Sequence, residues 1–184
     1  MIITDGKGSG SKVAVSKEND LSVVTMSAIS KATQRGDAFS WNTVSYDIIT
    51  ADTLLTVRNT SAKRLLVIHR LYMYTDVIGT YDVHIQTVST AFTTTHGAVV
   101  TGVNLNTSSA KVADAGAISD EEAIAAQGTV ILTLASNELA TDQFAIDFPT
   151  NDAIVLGTNG RIAIDATAAA AVCECTVIGY FIDA

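Results

Sequence analysis

No stretch of the chain is an apolar run long enough to span a membrane, so no transmembrane helix is expected. Met1-Ile2-Ile3-Thr4-Asp5 lacks a basic n-region and an apolar h-region, so no secretory signal is expected and folding in a cytoplasm is the default. Charge is scarce, at 16% of residues, and apolar residues make up 48%, which together exclude disorder throughout. Proline occurs once, at Pro149, where it ends a strand. Cysteine occurs twice. Cys173 and Cys175 stand two apart on a predicted strand, a spacing that disfavours a bond between them. They alternate with Val177, Gly179 and Phe181 on one face, which marks them as buried thiols rather than a redox or metal pair. The opposite face, Val172, Glu174, Thr176, Ile178, Tyr180 and Ile182, is too apolar for open solvent and is expected to be a subunit contact.

Reactive constellations are also missing. No Ser or Thr sits in a G-x-S-x-G nucleophile elbow, and the carboxylates are scattered singly, so no acid and base pair can be assigned. Asp82-Val83-His84 places a carboxylate and an imidazole on one strand face, but no Cys or second His has a spacing that completes a metal site. His69 lies in an apolar run and is expected to be packed and hydrogen-bonded. Trp41, Tyr46, Tyr72, Tyr74 and Tyr81 could line a sugar platform; core or interface packing is the preferred assignment. Asp5-Gly6-Lys7-Gly8-Ser9-Gly10 has the wrong spacing and context for a dinucleotide fingerprint and is expected to be a surface arm. No catalytic residue, cofactor or metal is expected, and the chain is not expected to be an enzyme.

At 184 residues the chain suits one domain with a full core. The net charge of −8 is unevenly spread, because residues 1–36 hold five Lys/Arg against three Asp/Glu and the remainder six against sixteen. An acidic body repels phosphate, so nucleic acid is not an expected partner. A mildly basic arm on that body suits docking to an acidic protein surface. The apolar surface favours an assembly component over a solitary monomer.

Strand signals fill the body. Leu54–Val88 reads as three consecutive strands with turns at Asn59–Arg64 and Asp76–Gly79. In the second, Leu65, Val67, His69, Leu71 and Met73 alternate with Leu66, Ile68, Arg70, Tyr72 and Tyr74, so both faces are expected to be covered. Further strands are expected at Phe39–Ile49, Val99–Leu105, Thr129–Leu134, Gln143–Phe148, Ala153–Leu156, Arg161–Ala166 and Val172–Ile182, with a hairpin turn at Gly157–Gly160. Upstream, Val13–Val15 and Leu21–Thr25 flank a polar loop as a short hairpin. Met26–Arg35 contains several poor helix formers and is expected to be extended. Ser119-Asp120-Glu121-Glu122 fits a capping box and predicts a short helix. Eight to ten strands with turns every eight to twelve residues predict an all-β antiparallel sandwich over 37–184, preceded by an extended arm with a short hairpin over 1–36.

The Asp5–Gly10 arm, the Val13–Val24 hairpin with Asn19-Asp20-Leu21, and Gly36-Asp37-Ala38-Phe39 resemble a group of tailed-bacteriophage virion proteins. Leu55-Thr56-Val57-Arg58-Asn59-Thr60, Leu65–Arg70 and Val103-Asn104-Leu105-Asn106 fit the same pattern. The resemblance implies a jelly-roll-like capsid auxiliary protein, also called a decoration or cement protein, made in the host cytoplasm and carried on the capsid surface. It implies a homotrimer bound to the major capsid protein, with no nucleic acid or membrane partner. Asp5, Gly6, Lys7, Gly8, Lys12 and Lys17 would form the docking arm, whose lysines supply charge complementarity. Tyr72, Tyr74, Ile178 and Tyr180 would form the subunit interface. The alternative is a receptor-binding or fibre-tip virion protein contacting the host through loops such as Phe92–Gly97.

Overall fold

The fold is taken from a computed structural model. It describes residues 3–4, 12–15, 21–22, 26–44, 46–48, 52–76, 78–87, 97–121, 128–136, 142–149, 153–167 and 170–184. The upstream strands β1 (Ile3–Thr4), β2 (Lys12–Val15) and β3 (Leu21–Ser22) form a small sheet of their own. Pairing of Ala14 with Ser22 and Val15 with Leu21 makes the expected hairpin.

The body holds one helix, α1 (Ala28–Arg35), and thirteen strands among the described residues. These are β4 (Ala38–Asn42), β5 (Tyr46–Ile48), β6 (Asp52–Asn59), β7 (Arg64–Thr75), β8 (Gly79–Gln86), β9 (Ala98–Val99), β10 (Val103–Asn104), β11 (Ala115–Glu121), β12 (Thr129–Ser136), β13 (Asp142–Asp147), β14 (Ile154–Leu156), β15 (Arg161–Ala166) and β16 (Ala170–Asp183). One sheet runs β10-β4-β16-β7-β13, with β14 also on β7 and β5 on β16. The other runs β12-β8-β15-β6-β11-β9. All pairings are antiparallel.

The main strands pair first with last, β4 with β16, then β6 with β15, β7 with β13 and β14, and β8 with β12. A long hairpin rolled up in this way, with β16 also beside β7 and β15 beside β8, is a jelly roll. The segment between β8 and β12 adds β10 to the edge at β4 and β11 and β9 to the edge at β6, so neither edge is left bare there.

The two inner faces meet in one core that includes Phe39, Trp41, Leu55, Val57, Leu71, Met73, Val83, Ile162, Ile164 and Phe181. Cys173 and Cys175 are unbonded and buried in that core, as their alternation predicts. Phe39 meets Trp41 and Phe181 at centroid distances of 6.2 and 5.8 Å.

Four expectations change. Residues 28–35 are helical rather than extended. The Ser27 side chain accepts the Ser30 N–H, and Gly36 ends the helix in the left-handed region at φ 73°. Ala28, Lys31, Ala32, Gln34 and Arg35 favour the helix, burial of Ala32 against Ala38, Val67 and Tyr180 adds what so short a helix lacks alone, and it places α1 with the sandwich rather than with the arm. The capping-box segment is strand to Glu121, because Ala115–Ser119 pair residue by residue with Asn59–Leu55 and that tertiary ladder outweighs the local signal. The turn at Gly157–Gly160 exists, but it joins β14 and β15, which lie in opposite sheets, so it is a crossover and not a hairpin.

The fourth change concerns β7. Ile68 pairs with Gly179 and Arg70 with Ile178, so His69 is an extra residue, a β-bulge. The bulge reverses the alternation. Leu66 and Ile68 point into the same core as Leu71 and Met73, while Val67 lies under α1. Gly179 permits it, since a Cβ there would lie 2.8 Å from the Val67 carbonyl oxygen.

Candidate functional site

Among the described residues, the outer face of the β4-β16-β7-β13 sheet is covered along only half of its length. Beyond the bulge, α1 lies over Val67 and Tyr180. The other half carries Tyr72 and Tyr74 from β7, Glu174, Thr176 and Ile178 from β16, and Gln143 and Ala145 from β13. Register sets these neighbours: Tyr74 stands between Glu174 and Gln143, and Tyr72 between Thr176 and Ala145. Tyr72, Tyr74, Glu174, Thr176, Gln143 and Ala145 line a groove of about 280 Å³, and Ile178 follows Thr176 on the same face of β16.

One wall of the groove is braced. The Arg70 guanidinium lies 5.5 Å from the Tyr72 ring centroid and donates to its hydroxyl at 2.6 Å. Arg70 is in turn paired with Asp147 across the β7–β13 ladder. The hydrogen bond from Arg70 holds the Asp147 carboxyl below its ordinary range and raises the guanidinium further. Tyr72 remains 37% exposed, a rigid aromatic wall turned to solvent. An aromatic held in one rotamer loses little entropy when a partner covers it, which suits a contact surface. The chemistry is that of recognition, with aromatic faces, an amide, a hydroxyl and one carboxylate.

Of the expected interface residues, Tyr72, Tyr74 and Ile178 fall on this open half. Tyr180 does not. It is only 5% exposed because α1 of its own chain packs over it, and burial raises its hydroxyl pKa. Tyr180 is therefore an internal contact, and its place at a subunit surface is corrected. Of the docking arm, Asp5, Gly6, Lys7, Gly8 and Lys17 lie outside the described residues, while the backbone of Lys12 opens β2. Most of the Phe92–Gly97 loop also lies outside them. Arg70 and Glu174 already share strand faces with Tyr72, Tyr74 and Ile178 in the sequence, whereas Gln143 and Asp147 joined the surface only through pairing of β13 with β7. The alternation within β7, β13 and β16 is visible in the sequence, but which strands pair is not.

Of Tyr46 only the backbone, in β5, is described. Trp41 and Tyr81 are core residues, and the Tyr81 hydroxyl is 2.6 Å from that of Thr75. His84 is buried, with Nε2 4.0 Å from Asp165 on the neighbouring strand rather than paired with Asp82, which accepts from the Thr133 hydroxyl. Among the described residues no three His, Cys, Asp or Glu side chains converge as a metal site. Comparison of the chain with protein-family models, with curated proteins and with solved structures gives no match.

Proposed function

We propose that the protein is a virion structural protein, a tailed-phage capsid auxiliary that binds the outside of the shell and stabilises it by cross-linking major capsid subunits. The observation that carries this reading is the half-covered outer sheet. A jelly roll whose own helix covers one half of a face, and whose other half presents a braced tyrosine groove beside Ile178, is built to be covered by another chain. In this reading the open half joins subunits of a homotrimer, and the upstream segment with its hairpin reaches across joints in the shell. Several such segments on one oligomer turn a weak contact into a durable one through effective concentration.

The test is co-sedimentation with parent-virus capsids that lack the protein, comparing the full chain with a version beginning at Met26. Met26 is the suitable start because α1 packs on the body. Binding by the full chain alone makes the upstream segment the anchor. Binding by both moves the anchor to the sandwich. Binding by neither sinks the proposal and turns attention to the host surface, where the tyrosine groove would be the first place to look for a glycan.

A further inference from the structure

Lysine and arginine are few, and they are not scattered. Of the eight in residues 26–184, five stand at one corner of the body: Lys31, Arg35, Lys63, Arg64 and Lys111. Three carboxylates, Asp37, Asp114 and Asp183, share that corner. The rest of residues 26–184 holds three cations against thirteen carboxylates. A positive corner on so acidic a chain concentrates the field where a negative partner would have to arrive.

The corner is also shaped. Ala28, Lys31, Ala32 and Arg35 fall at i, i+3, i+4 and i+7, one stripe of α1, and this stripe faces the end of β16 across a groove of about 470 Å³. A second hollow of about 480 Å³ adjoins it through Arg64 and Asp183 and adds Lys63. Arg64 and Lys111 are held in place. Asp37 Oδ1 accepts from Arg64 at 3.2 Å and from Lys111 at 2.8 Å, Arg64 also pairs with Asp114, and its guanidinium lies 4.7 Å from the Phe181 ring centroid. Lys31 and Arg35 have no ion-pair partner among the described residues, and both are exposed. The wall opposite them is a strand flank. Ladder pairing of β16 with β4 ends at Tyr180, with one further bond from the Phe181 N–H to the Asp37 carbonyl, yet β16 continues on β7 to Asp183, so among the described residues Ile182 and Asp183 have a strand neighbour on one side only. Ile182 adds an apolar surface, 41% exposed.

We infer that this groove docks a short, extended, acidic segment of a partner protein, with its carboxylates on Lys31 and Arg35 and its backbone along the end of β16. The stripe from residue 28 to 35 is roughly 10 Å long, which matches about three extended residues. A nucleic acid strand would meet the surrounding carboxylates on leaving so short a groove, whereas a peptide can confine its charge to it. The partner need not be a capsid subunit, so this inference can fail while capsid binding holds, and the reverse.

The experiment is fluorescence anisotropy on the intact protein with three labelled probes: a peptide with a central Glu-Asp-Glu run, the same peptide with Gln and Asn in those places, and a single-stranded oligonucleotide of similar length. The acidic peptide should bind and the amide peptide should not. Binding should weaken with added salt, and the double variant Lys31→Gln/Arg35→Gln should lower affinity about tenfold. Glutamine is a good helix former, so α1 is retained in that variant, and circular dichroism checks it. No binding of the acidic peptide, equal binding of the amide peptide, tighter binding of the oligonucleotide, or unchanged affinity in the double variant would each overturn the inference.

Discussion

Replacing Asn59 tests how the two sheets are tied together. Its side chain is fully buried. Nδ2 donates to the carbonyls of Arg64 and Leu156, both at 2.9 Å, and Oδ1 accepts the Ser61 N–H at 2.9 Å. One amide thereby holds both the turn from β6 to β7 and the crossover from β14 to β15. Asn59→Ala leaves one N–H and two carbonyls without that partner. Each orphaned group costs about 1–3 kcal/mol, and water can reach some of them once the side chain is gone, so a loss of about 3–4 kcal/mol is expected. Asn59→Asp keeps the acceptor for Ser61 but turns an anionic oxygen toward two carbonyls. At neutral pH it should cost at least as much as Ala. Protonation lets that oxygen donate again, so the folded state raises the Asp pKa above the unfolded value of about 3.9. The stability of Asn59→Asp is then highest below about pH 4 and falls as the pH rises, opposite to an ion-paired carboxylate. Urea denaturation measured from pH 4 to 8, with unchanged m-values, reads both effects. A loss below about 1 kcal/mol for Asn59→Ala, or wild-type stability for Asn59→Asp at pH 7, would refute this account.

Ser27→Ala removes the cap of α1 and should cost about 1 kcal/mol, a fall of about 2–4 °C in Tm by calorimetry. Tyr72→Ala should change the urea midpoint little, because the ring is at the surface, but on the proposed trimer it should shift sedimentation equilibrium toward the monomer; a parent protein that sediments as a monomer, or an oligomer unchanged in the variant, would refute that interface. Burial raises the Cys173 and Cys175 pKa values, so both thiols should resist a disulfide reagent until the protein unfolds. The same burial makes stability complete below pH 9.0, the unfolded thiol value, and lost above it by up to about 1.4 kcal/mol per pH unit for each thiol. A Cys175→Ala variant should lose less at alkaline pH than the parent, measured by urea titration.

Much of this architecture is legible in the residue order. Alternation and turn chemistry mark β6, β7, β8, β15 and β16, and they place Cys173 and Cys175 inside, because a strand with one wet face must repeat every second residue. Asn59-Thr60-Ser61 and Gly157–Gly160 announce turns whatever the strands beyond them do. Tertiary structure decided the rest. Residues 28–35 mix strong helix formers with Ile29, Ser30 and Thr33, too short a run to hold a helix alone, and become helical where Ala32 finds Val67 and Tyr180. Ser119–Glu121 carry a helix start signal and become strand where β6 offers a ladder. His69 bulges because Gly179 lets the Val67 carbonyl come close, and that one residue moves Leu66 and Ile68 to the core. The tyrosine groove and the basic corner depend on residues far apart in the chain, so no local pattern contains them. Local preferences differ by tenths of a kcal/mol per residue, while burial and pairing bring several at once, and where the two conflict the packed state prevails.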